Sequence, residues 1–400
     1  MKTVILAAGE GTRMLPLTNS RPKGMLPLAN KPILEHLLWE ARKAGLTEFI
    51  FVVGFHDEQI RDYFGDGGKW GVKIDYRTQR KQLGTADAVS MVADSITGNF
   101  ILINGDIIIK SPDFEAMMMA DQATLGIIKV ADNSGLGVVK LSRGKVVHIY
   151  EKSEKPPSDM ANAGVYRFTP EIFDAIRQTV KSPRGEYEIT DTLQLMIDRG
   201  YPVGYHEIDS WFNLSYPWDL LSANELLLTE GMAENLGEVE NNVVMKGAVS
   251  VGEGTVVRSG SYIVGPVIIG RNCNIGPNCY IRPHTAIGDD CHIGAAVEVK
   301  NSIVMRGTKI PHHNYVGDSV IGEDCNFGAG TKIANLRLDK QAVKVTNIDT
   351  KRHKLGAIIG DRVEIGINAC INVGTIIGSN TVVGPGAIAS GIIPANSRLF

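Results

Sequence analysis

The sequence has few of the features that mark secreted, membrane-spanning or nucleic-acid-binding proteins. Its five cysteines all lie beyond residue 270 and form no CxxC pair, so the sequence indicates neither a disulfide framework nor a zinc knuckle. No apolar run approaches the length needed to cross a bilayer, and Lys2 leads directly into a strand pattern instead of an apolar signal segment. A net charge of -3 gives no basic bias towards nucleic acid or a membrane surface. These absences favour a cytoplasmic protein with reduced thiols.

The composition changes near residue 235 and divides the 400-residue chain into two parts. Before this point, short β-branched runs such as TVILAA, EFIFVVG and FILINGD alternate with helix-like stretches such as PILEHLLWEARKAG, which ends on a glycine suited to a helix C-cap. Alternating strands and helices predict an α/β domain with a largely parallel sheet. We predict domains at 1–228 and 241–400, joined by a linker at 229–240.

A six-residue repeat of aliphatic residues fills the second part. Nine consecutive aliphatic residues occur at steps of six from Val251 to Val299, and glycine often follows them. After a slip in phase, the pattern resumes between Ile310 and Ile333 and again between Ile359 and Val383. A period of six fits neither a helix face nor a long flat strand, but it suits a coil of short strands with a turn at each corner. We predict an all-β left-handed parallel β-helix built of hexapeptide repeats.

Four cysteines share one position in this repeat. Cys273, Cys279, Cys291 and Cys325 each fall four residues after a repeat aliphatic, where a small side chain would fill the corner. We predict that they pack as small hydrophobic residues and are not reactive thiols. Cys370 lies off this position, and the pattern assigns it no role.

The segment LAAGEGTRM, residues 6–14, has the character of a phosphate-binding loop. It satisfies neither the Rossmann fingerprint GxGxxG nor the Walker pattern GxxxxGK[ST]. The physical logic is nevertheless shared, because glycines let backbone N–H groups approach phosphate oxygens at a helix start, and Arg13 and Lys23 can offset phosphate charge. On these residues alone, a strand-ending turn without a ligand stays open.

The longer stretch LAAGEGTRMLPLTNSRPKGMLPLANKP resembles the signature of sugar-1-phosphate nucleotidylyltransferases. The resemblance continues through the first domain in QLGTADA, NGD, GLGVV, YEK, NAGVY and WFNLSYPWDL. It implies a Rossmann-like fold in which a nucleoside triphosphate lies along the first loop and a sugar 1-phosphate docks opposite. In this family the sugar-phosphate oxygen attacks the α-phosphorus in line, pyrophosphate leaves and a nucleotide sugar forms.

The resemblance implies a role for each matching position. Arg13 and Lys23 would steady the phosphates. Asp106 would hold a Mg²⁺ ion bound with the nucleotide, and Asn213, where many of these enzymes have aspartate, would be an uncharged second ligand. Uridyltransferases that act on N-acetylglucosamine 1-phosphate are similar in having asparagine there, which favours UTP over other nucleoside triphosphates. The nucleotide would contact Ala8, Gly9, Gly11, Thr12, Gln79, Gly84 and Thr85. The sugar would contact Gly137, Glu151 and Asn162.

Residues 281–337 resemble the acetyltransferase half of the bifunctional glucosamine-1-phosphate acetyltransferase and N-acetylglucosamine-1-phosphate uridyltransferase family. The matching patterns are V-E-x-K, H-x-x-Y-x-G-D and N-x-G-A-G-T, in that order. The resemblance implies that His312 is the general base for attack of the sugar amine on acetyl-CoA, and a shared role for the adjacent His313 stays open. The N–H of Ala329 would face the thioester oxygen. The sugar phosphate and sugar would contact Arg282, Lys300, Tyr315, Asn326, Asn335 and Lys354.

Three functions remain open at this level. The preferred one is a bifunctional enzyme of UDP-N-acetylglucosamine synthesis, for which the family implies a homotrimer formed through the β-helix. The alternative is a glucose- or mannose-1-phosphate nucleotidylyltransferase whose β-helix only assembles or regulates the oligomer. The third, a non-catalytic binding subunit, is disfavoured because Arg13, Lys23 and Asp106 are retained. The tail after Val383 is short beside that of the family, so the sequence assigns no contacts to the coenzyme A phosphates.

Overall fold

The computed structural model describes residues 1–133, 135–151, 157–231 and 233–400. Lys152 of the YEK motif therefore lies outside the described residues, as does residue 232 of the predicted linker. The chain forms two compact units: the first comprises Met1–Glu10, Arg21–Met25 and Ile33–Asn213, and the second comprises Gly11–Ser20, Leu26–Pro32 and Leu214–Phe400. The second unit thus contains two short N-terminal segments as well as the repeat region. The domain boundaries at 228 and 241 stay a prediction.

A nine-stranded mixed sheet forms the centre of the first unit. Seven strands follow one path in the spatial order Lys145–Tyr150, Val138–Ser142, Met160–Phe168, Phe100–Asn104, Lys2–Ala7, Glu48–Val53 and Lys73–Thr78. Ala123–Lys129 also pairs with Met160–Phe168, and Val203–Glu207 pairs with Ala123–Lys129. The last four strands of the path are parallel to one another, which places their carboxyl ends at one edge.

The expectation of a largely parallel sheet is wrong for the strands around Met160–Phe168, although Val203–Glu207 is parallel to Ala123–Lys129. Met160–Phe168 runs antiparallel to all its neighbours, and Val138–Ser142 forms a hairpin with Lys145–Tyr150. Arg143 and Gly144 close this hairpin with φ of 48° and 74°. A two-residue turn with two positive φ values matches the twist of antiparallel strands, so no helical crossover is needed there.

Helices cover both faces of the sheet. They span Ile33–Lys43, Asp57–Phe64, Thr85–Ser90, Ser111–Met118, Ile172–Ile176 and Ile189–Asp198. Neighbouring residues of one strand serve different cores, since Val4 packs with the helices of one face and Ile5 with those of the other. The predicted helix in PILEHLLWEARKAG is confirmed, and Gly45 follows it with φ of 89°. No helix among the described residues combines the length and apolar character needed to cross a membrane.

Three parallel sheets form the β-helix of the second unit; each complete coil contributes one strand to each sheet, and Arg398–Leu399 adds a ninth strand to the first. The first sheet contains Glu238–Val239, Val256–Val257, Asn274–Ile275, His292–Ile293, Lys309–Ile310, Asn326–Phe327, Glu364–Ile365, Val382–Val383 and Arg398–Leu399. The second contains Val244–Lys246, Tyr262–Val264, Tyr280–Ile281, Glu298–Lys300, Tyr315–Gly317, Lys332–Ile333, Cys370–Ile371 and Ile388–Ala389. The third contains Val249–Val251, Val267–Ile269, Thr285–Ile287, Ile303–Val304, Val320–Ile321, Ala357–Ile359, Thr375–Ile377 and Ile392–Ile393.

The repeat aliphatics form the core of this β-helix, as predicted. The nine residues from Val251 to Val299 belong to one buried cluster, with the later repeat positions from Ile310 to Val383. Cys273, Cys279, Cys291 and Cys325 are buried in the same cluster, whereas Cys370 is exposed. The predicted fold class, a Rossmann-like α/β domain followed by a left-handed parallel β-helix, is confirmed.

The remaining elements are short. Asp219–Glu230 is a helix, and Pro27–Leu28 pairs with Lys31–Pro32. The excursion at 334–358 interrupts the coils and contains a small hairpin of Lys344–Val345 with Ile348–Asp349.

Candidate active sites

An ion pair joins Lys23 and Asp106 in the first unit. Lys23 Nζ donates to Asp106 Oδ2 at 2.7 Å, and the two side chains are 12% and 35% exposed. Asn213 lies beside them, because Ile107–Ile109 pairs with Trp211–Asn213 in a register that places Asn213 opposite the residue after Asp106. The fold therefore brings together a cation, a carboxylate and an amide that the sequence separates widely.

This donor set fits a magnesium ion bound together with a phosphorylated substrate. Mg²⁺ takes oxygen ligands and usually combines one or two carboxylates with water and phosphate oxygens. Asp106 offers a carboxylate and Asn213 an uncharged amide oxygen. No cluster of three or more His, Cys, Asp or Glu side chains that could hold a metal occurs in the described ranges.

Ala8 and Gly9 follow the strand Lys2–Ala7 directly. The Ala8 carbonyl accepts hydrogen bonds from the Phe55 N–H and the Gln82 amide, both at 3.2 Å. A Cβ added to Gly9 would meet nothing within 4 Å. The backbone is thus held at Ala8 and faces open space at Gly9, where a ligand has room.

Gln79, Gly84 and Thr85 form one cluster against the backbone of Tyr187. The Gln79 side chain is buried and donates to the Gly84 carbonyl at 3.1 Å and to the Asp87 carboxylate at 2.7 Å. Gly84 has φ of +117°, and a Cβ there would lie 2.3 Å from the Tyr187 carbonyl oxygen. Thr85 Oγ1 accepts the N–H two residues beyond Tyr187 at 2.9 Å. Only glycine fits at residue 84, and the Gln79 amide is held in one orientation.

Gly137, Glu151 and Asn162 lie side by side. The Gly137 carbonyl accepts the Asn162 N–H at 2.8 Å, and a Cβ on Gly137 would lie 3.0 Å from Glu151 Oε2. Arg184 bridges Glu151 and Glu188 at 3.2 and 2.6 Å. Burial raises the pKa of Glu188, and the Arg184 charge opposes this shift. The three predicted sugar-binding residues thus share a polar patch with a guanidinium group.

The glycine-rich loop leads into a single 3₁₀ turn, Thr12–Met14, and not into a longer helix. Gly11 has φ of +65°, and its carbonyl accepts hydrogen bonds from Met14 N–H at 2.8 Å and Thr18 Oγ1 at 2.9 Å. Leu15 is extended with ψ of 142° because the following Pro16 disfavours the helical region. The helix therefore cannot continue, and the turn itself fixes the loop.

Arg13 projects from this turn over an aromatic side chain. Its guanidinium lies 5.8 Å from the ring centroid of Tyr216, which is stacked on Trp218 at 4.9 Å. A cation held over an aromatic face keeps its charge while losing some mobility. Gly11, Thr12 and Arg13 all belong to the second compact unit.

Lys300, Tyr315 and Asn335 converge on Asp318 in the β-helix. The Asp318 carboxylate is 3% exposed and accepts hydrogen bonds from Lys300 at 2.9 Å, Asn301 at 2.7 Å and Asn335 at 2.5 Å. Asn335 also donates to the Tyr315 hydroxyl at 3.1 Å. Burial raises the pKa of Tyr315, so this hydroxyl stays protonated at neutral pH. The fold thus gathers three predicted sugar-binding residues around one buried carboxylate.

His312 and Ala329 lie at the same corner of the β-helix in successive coils. The exposed His312 has its carbonyl bonded to the Gly330 N–H at 3.1 Å. Within the described part of the chain, the N–H of Ala329 donates to no protein group. His313 lies in the same turn with φ of 55°. A base and an available N–H donor therefore occupy one corner.

Arg282 and Lys354 lie at the edges of this region. Arg282 donates to Glu298 at 2.9 Å on the sheet that carries Tyr315. Lys354 forms an isolated bridge with Leu336, next to Asn335.

Asn326 lies on a different sheet of the β-helix from Tyr315. Its side-chain amide donates to Glu364 at 3.2 Å. The His312 turn joins these two sheets, so a site that uses both Asn326 and Tyr315 surrounds this corner.

The sequence did not assign roles to Asp318 and Arg184. Asp318 is the last residue of the H-x-x-Y-x-G-D pattern, and its place in this pattern is the sequence signal that could have identified it. Arg184 reaches Glu151 across 33 positions of sequence, and only the folded chain shows that contact.

Comparison with known proteins identifies the class. A protein-family model named nucleotidyl transferase matches residues 2–230, and one named GMPPB C-terminal domain matches residues 263–382. A crystal structure described as a glucose-1-phosphate thymidylyltransferase from Bacillus anthracis, with sucrose bound, has a TM-score of 0.54 and 29% identity. The match covers 58% of this chain and 98% of that chain. The fold and the matched residues therefore define a nucleotidyltransferase that carries a β-helix.

Relatives that match along the whole chain narrow this class. The bifunctional protein GlmU of Methanococcus maripaludis strain C7 is 41% identical over 100% of this chain and 97% of its own length. The GlmU protein of Methanocaldococcus jannaschii is 40% identical with the same coverage. The bifunctional sugar-1-phosphate nucleotidylyltransferase/acetyltransferase of Sulfurisphaera tokodaii is 39% identical over 98% and 97%.

The chain belongs to this bifunctional family. It is an enzyme with a nucleotidylyltransferase and an acetyltransferase activity, as predicted. Two activities are thus favoured over a β-helix that serves only as a scaffold.

Proposed function

We propose that the protein makes UDP-N-acetylglucosamine from glucosamine 1-phosphate in two reactions. The β-helix acetylates the amine with acetyl-CoA, and the α/β domain then transfers uridylyl from UTP to the product. The network of Lys300 and Asn335 around the buried Asp318 carboxylate carries this proposal. Taking a charged pair out of water is unfavourable unless geometry and further hydrogen bonds compensate, and a coil that only assembles the oligomer has no need of such a pair.

In the acetyl transfer, His312 acts on the sugar amine. The imidazole accepts a proton as the nitrogen attacks the thioester carbonyl, and coenzyme A leaves as the thiol. The N–H of Ala329 stabilises the oxyanion. The sugar phosphate and sugar are held by Arg282, Lys300, Tyr315, Asn326, Asn335 and Lys354.

In the uridylyl transfer, the phosphate oxygen of N-acetylglucosamine 1-phosphate attacks the α-phosphorus of UTP and pyrophosphate leaves. Arg13 and Lys23 offset the charge of the phosphates. Asp106 and Asn213 would hold Mg²⁺, which supplies further positive charge to the phosphates when bound. The nucleotide contacts Ala8, Gly9, Gly11, Thr12, Gln79, Gly84 and Thr85. The sugar contacts Gly137, Glu151 and Asn162.

The proposal includes a cytoplasmic homotrimer formed through the β-helix. Aromatic residues on the outside of one sheet support an interface, since Tyr262 and Tyr280 of successive coils meet edge to face with their ring centroids 5.7 Å apart. Tyr280 is 40% exposed. Solvent-accessible tyrosines are enriched at protein interfaces.

Two variants of the intact protein test the assignment of sites. Thiol release is measured with acetyl-CoA and glucosamine 1-phosphate, and pyrophosphate release with UTP, Mg²⁺ and N-acetylglucosamine 1-phosphate. We expect His312→Ala to lower thiol release by about 10²–10⁴ and to leave pyrophosphate release unchanged. Asp106→Asn should lower pyrophosphate release and leave thiol release unchanged.

His353→Ala is the matched control, because His353 is an exposed histidine of the excursion. Both activities should remain normal in this variant. If the wild-type protein released no thiol with any amino-sugar phosphate, the acetyltransferase assignment would be wrong.

A further inference from the structure

In four central coils, the third sheet of the β-helix is buried on its outer face as well as its inner face. Ala286, Ile303, Val320 and Ile358 pair with one another in register and form a row across four coils. All four are at most 2% exposed, yet none belongs to the cluster inside the coils. This row is therefore covered from outside the β-helix.

The N-terminal segment Leu26–Pro32 is hydrogen-bonded to this part of the β-helix, both directly and through Asn224. Asn30, in the segment Leu26–Pro32, donates its side-chain amide to the Ile287 carbonyl at 2.6 Å. Asn224 is fully buried; it accepts the Ala29 N–H at 2.9 Å and donates to the His284 carbonyl at 3.0 Å. Such bonds satisfy the backbone groups that are exposed at the corners of the coils.

The segment Gly11–Ser20 is held at Asp361. Ser20 Oγ donates to Asp361 Oδ2, and the other carboxylate oxygen accepts the Glu323 N–H at 2.9 Å. Asp361 is 1% exposed. A Cβ on Gly360 would lie 3.1 Å from Pro16 Cβ, so the segment lies directly on the coil.

We propose that Asp361 is a positioning residue for nucleotidylyl transfer. The segment Gly11–Ser20 contains one 3₁₀ turn and no longer element, so its order depends on its contacts. Asp361 fixes the Ser20 end of the segment. The hydrogen bond from Thr18 Oγ1 to the Gly11 carbonyl connects this end to the turn that carries Arg13. The β-helix thereby shapes the phosphate-binding loop without touching the nucleotide. This inference rests on the proposed role of Arg13.

Single and double variants of the full-length protein test this anchor. The variants are Ser20→Ala, Asp361→Asn and the double variant, with kcat and KM for UTP measured by pyrophosphate release. We expect each single variant to lower kcat about tenfold and the double variant to be no worse than the more severe single one, because both remove the same contact. Ser20→Thr, which retains the hydroxyl, should recover most of the loss.

Thiol release separates positioning from damage to the fold. It should stay within twofold of wild type in Ser20→Ala, which leaves every coil intact. Asp324→Asn changes an exposed carboxylate of the adjacent coil and should leave both activities unchanged.

The inference is overturned if Ser20→Ala retains full pyrophosphate release, if both activities fall together, or if the two single losses multiply in the double variant. A wild-type protein that releases no pyrophosphate would instead refute the proposed function.

Discussion

Asp318→Asn tests whether a buried carboxylate holds the proposed phosphate-binding lysine. The substitution preserves the side-chain shape but removes the charge that faces Lys300, Asn301 and Asn335. Removing one partner of a buried ion pair is destabilising by about 3–5 kcal/mol. Lys300 is 18% exposed, so some solvent reaches the abandoned charge and we expect the lower end, about 3 kcal/mol. For a unit of about 150–250 residues this lowers Tm by about 6–12 °C.

The matched control is Asp290→Asn. Asp290 also accepts a hydrogen bond from a cation at 2.9 Å, but Asp290 and its partner Arg306 are 39% and 70% exposed. Exposed pairs of this kind contribute about 0–1 kcal/mol. Asparagine also tolerates the left-handed conformation of residue 290, where φ is 59°. We expect a Tm change below about 3 °C.

Differential scanning calorimetry and thiol release provide the two measurements. Asp318→Asn should also raise the KM for glucosamine 1-phosphate at least about tenfold, because a tenfold change corresponds to only about 1.4 kcal/mol of lost binding. Pyrophosphate release should remain normal below the melting transition. Equal Tm shifts in the two variants, or an unchanged KM in Asp318→Asn, would refute the argument from burial.

Three further predictions concern other parts of the molecule. Gly84→Ala should raise the KM for UTP at least about tenfold, since its Cβ would overlap backbone. Gly98→Ala, at a position where the added Cβ meets open space, should not change the KM for UTP. Equal KM values in the two variants would contradict the assignment of Gly84 to the nucleotide site. Arg184→Gln should shift the acid limb of pyrophosphate release to higher pH, because loss of the cation raises the pKa of Glu188, which Arg184 joins to the predicted sugar-binding residue Glu151; an unmoved limb would count against this link. Alkylation at pH 8, followed by mass spectrometry, should label Cys370 alone, because burial raises the pKa of the other four thiols; a second rapidly labelled thiol would disprove this.

Sequence reasoning was strongest where structure repeats locally. The β-helix follows from the spacing of aliphatics such as Ile275 and Ile281, because each coil contacts only its neighbours and every repeat has the same environment. The helix at residues 33–43 follows from its periodicity and its final glycine. The antiparallel half of the sheet was missed because pairing direction depends on how the chain returns, and short strand runs do not encode that path.

In the candidate sites, too, the sequence identified individual residues, and the fold determined their contacts. The motifs placed Lys23, Asp106, Lys300 and Asn335 in the chain, and the fold then brought them into two polar clusters. The partners Asp318 and Arg184 were not assigned roles, because their importance lies in contacts to residues distant in sequence.

The sequence by itself determined the two architectures, the family and the residue types available for both reactions, since these depend on local periodicity and short motifs. Only the tertiary structure decided which segments pack together. It assigned the segment Gly11–Ser20, with Arg13, to the same compact unit as the β-helix and placed Ser20 against Asp361. The physical reason is that such contacts join groups far apart along the chain, and their formation depends on the path of the whole backbone.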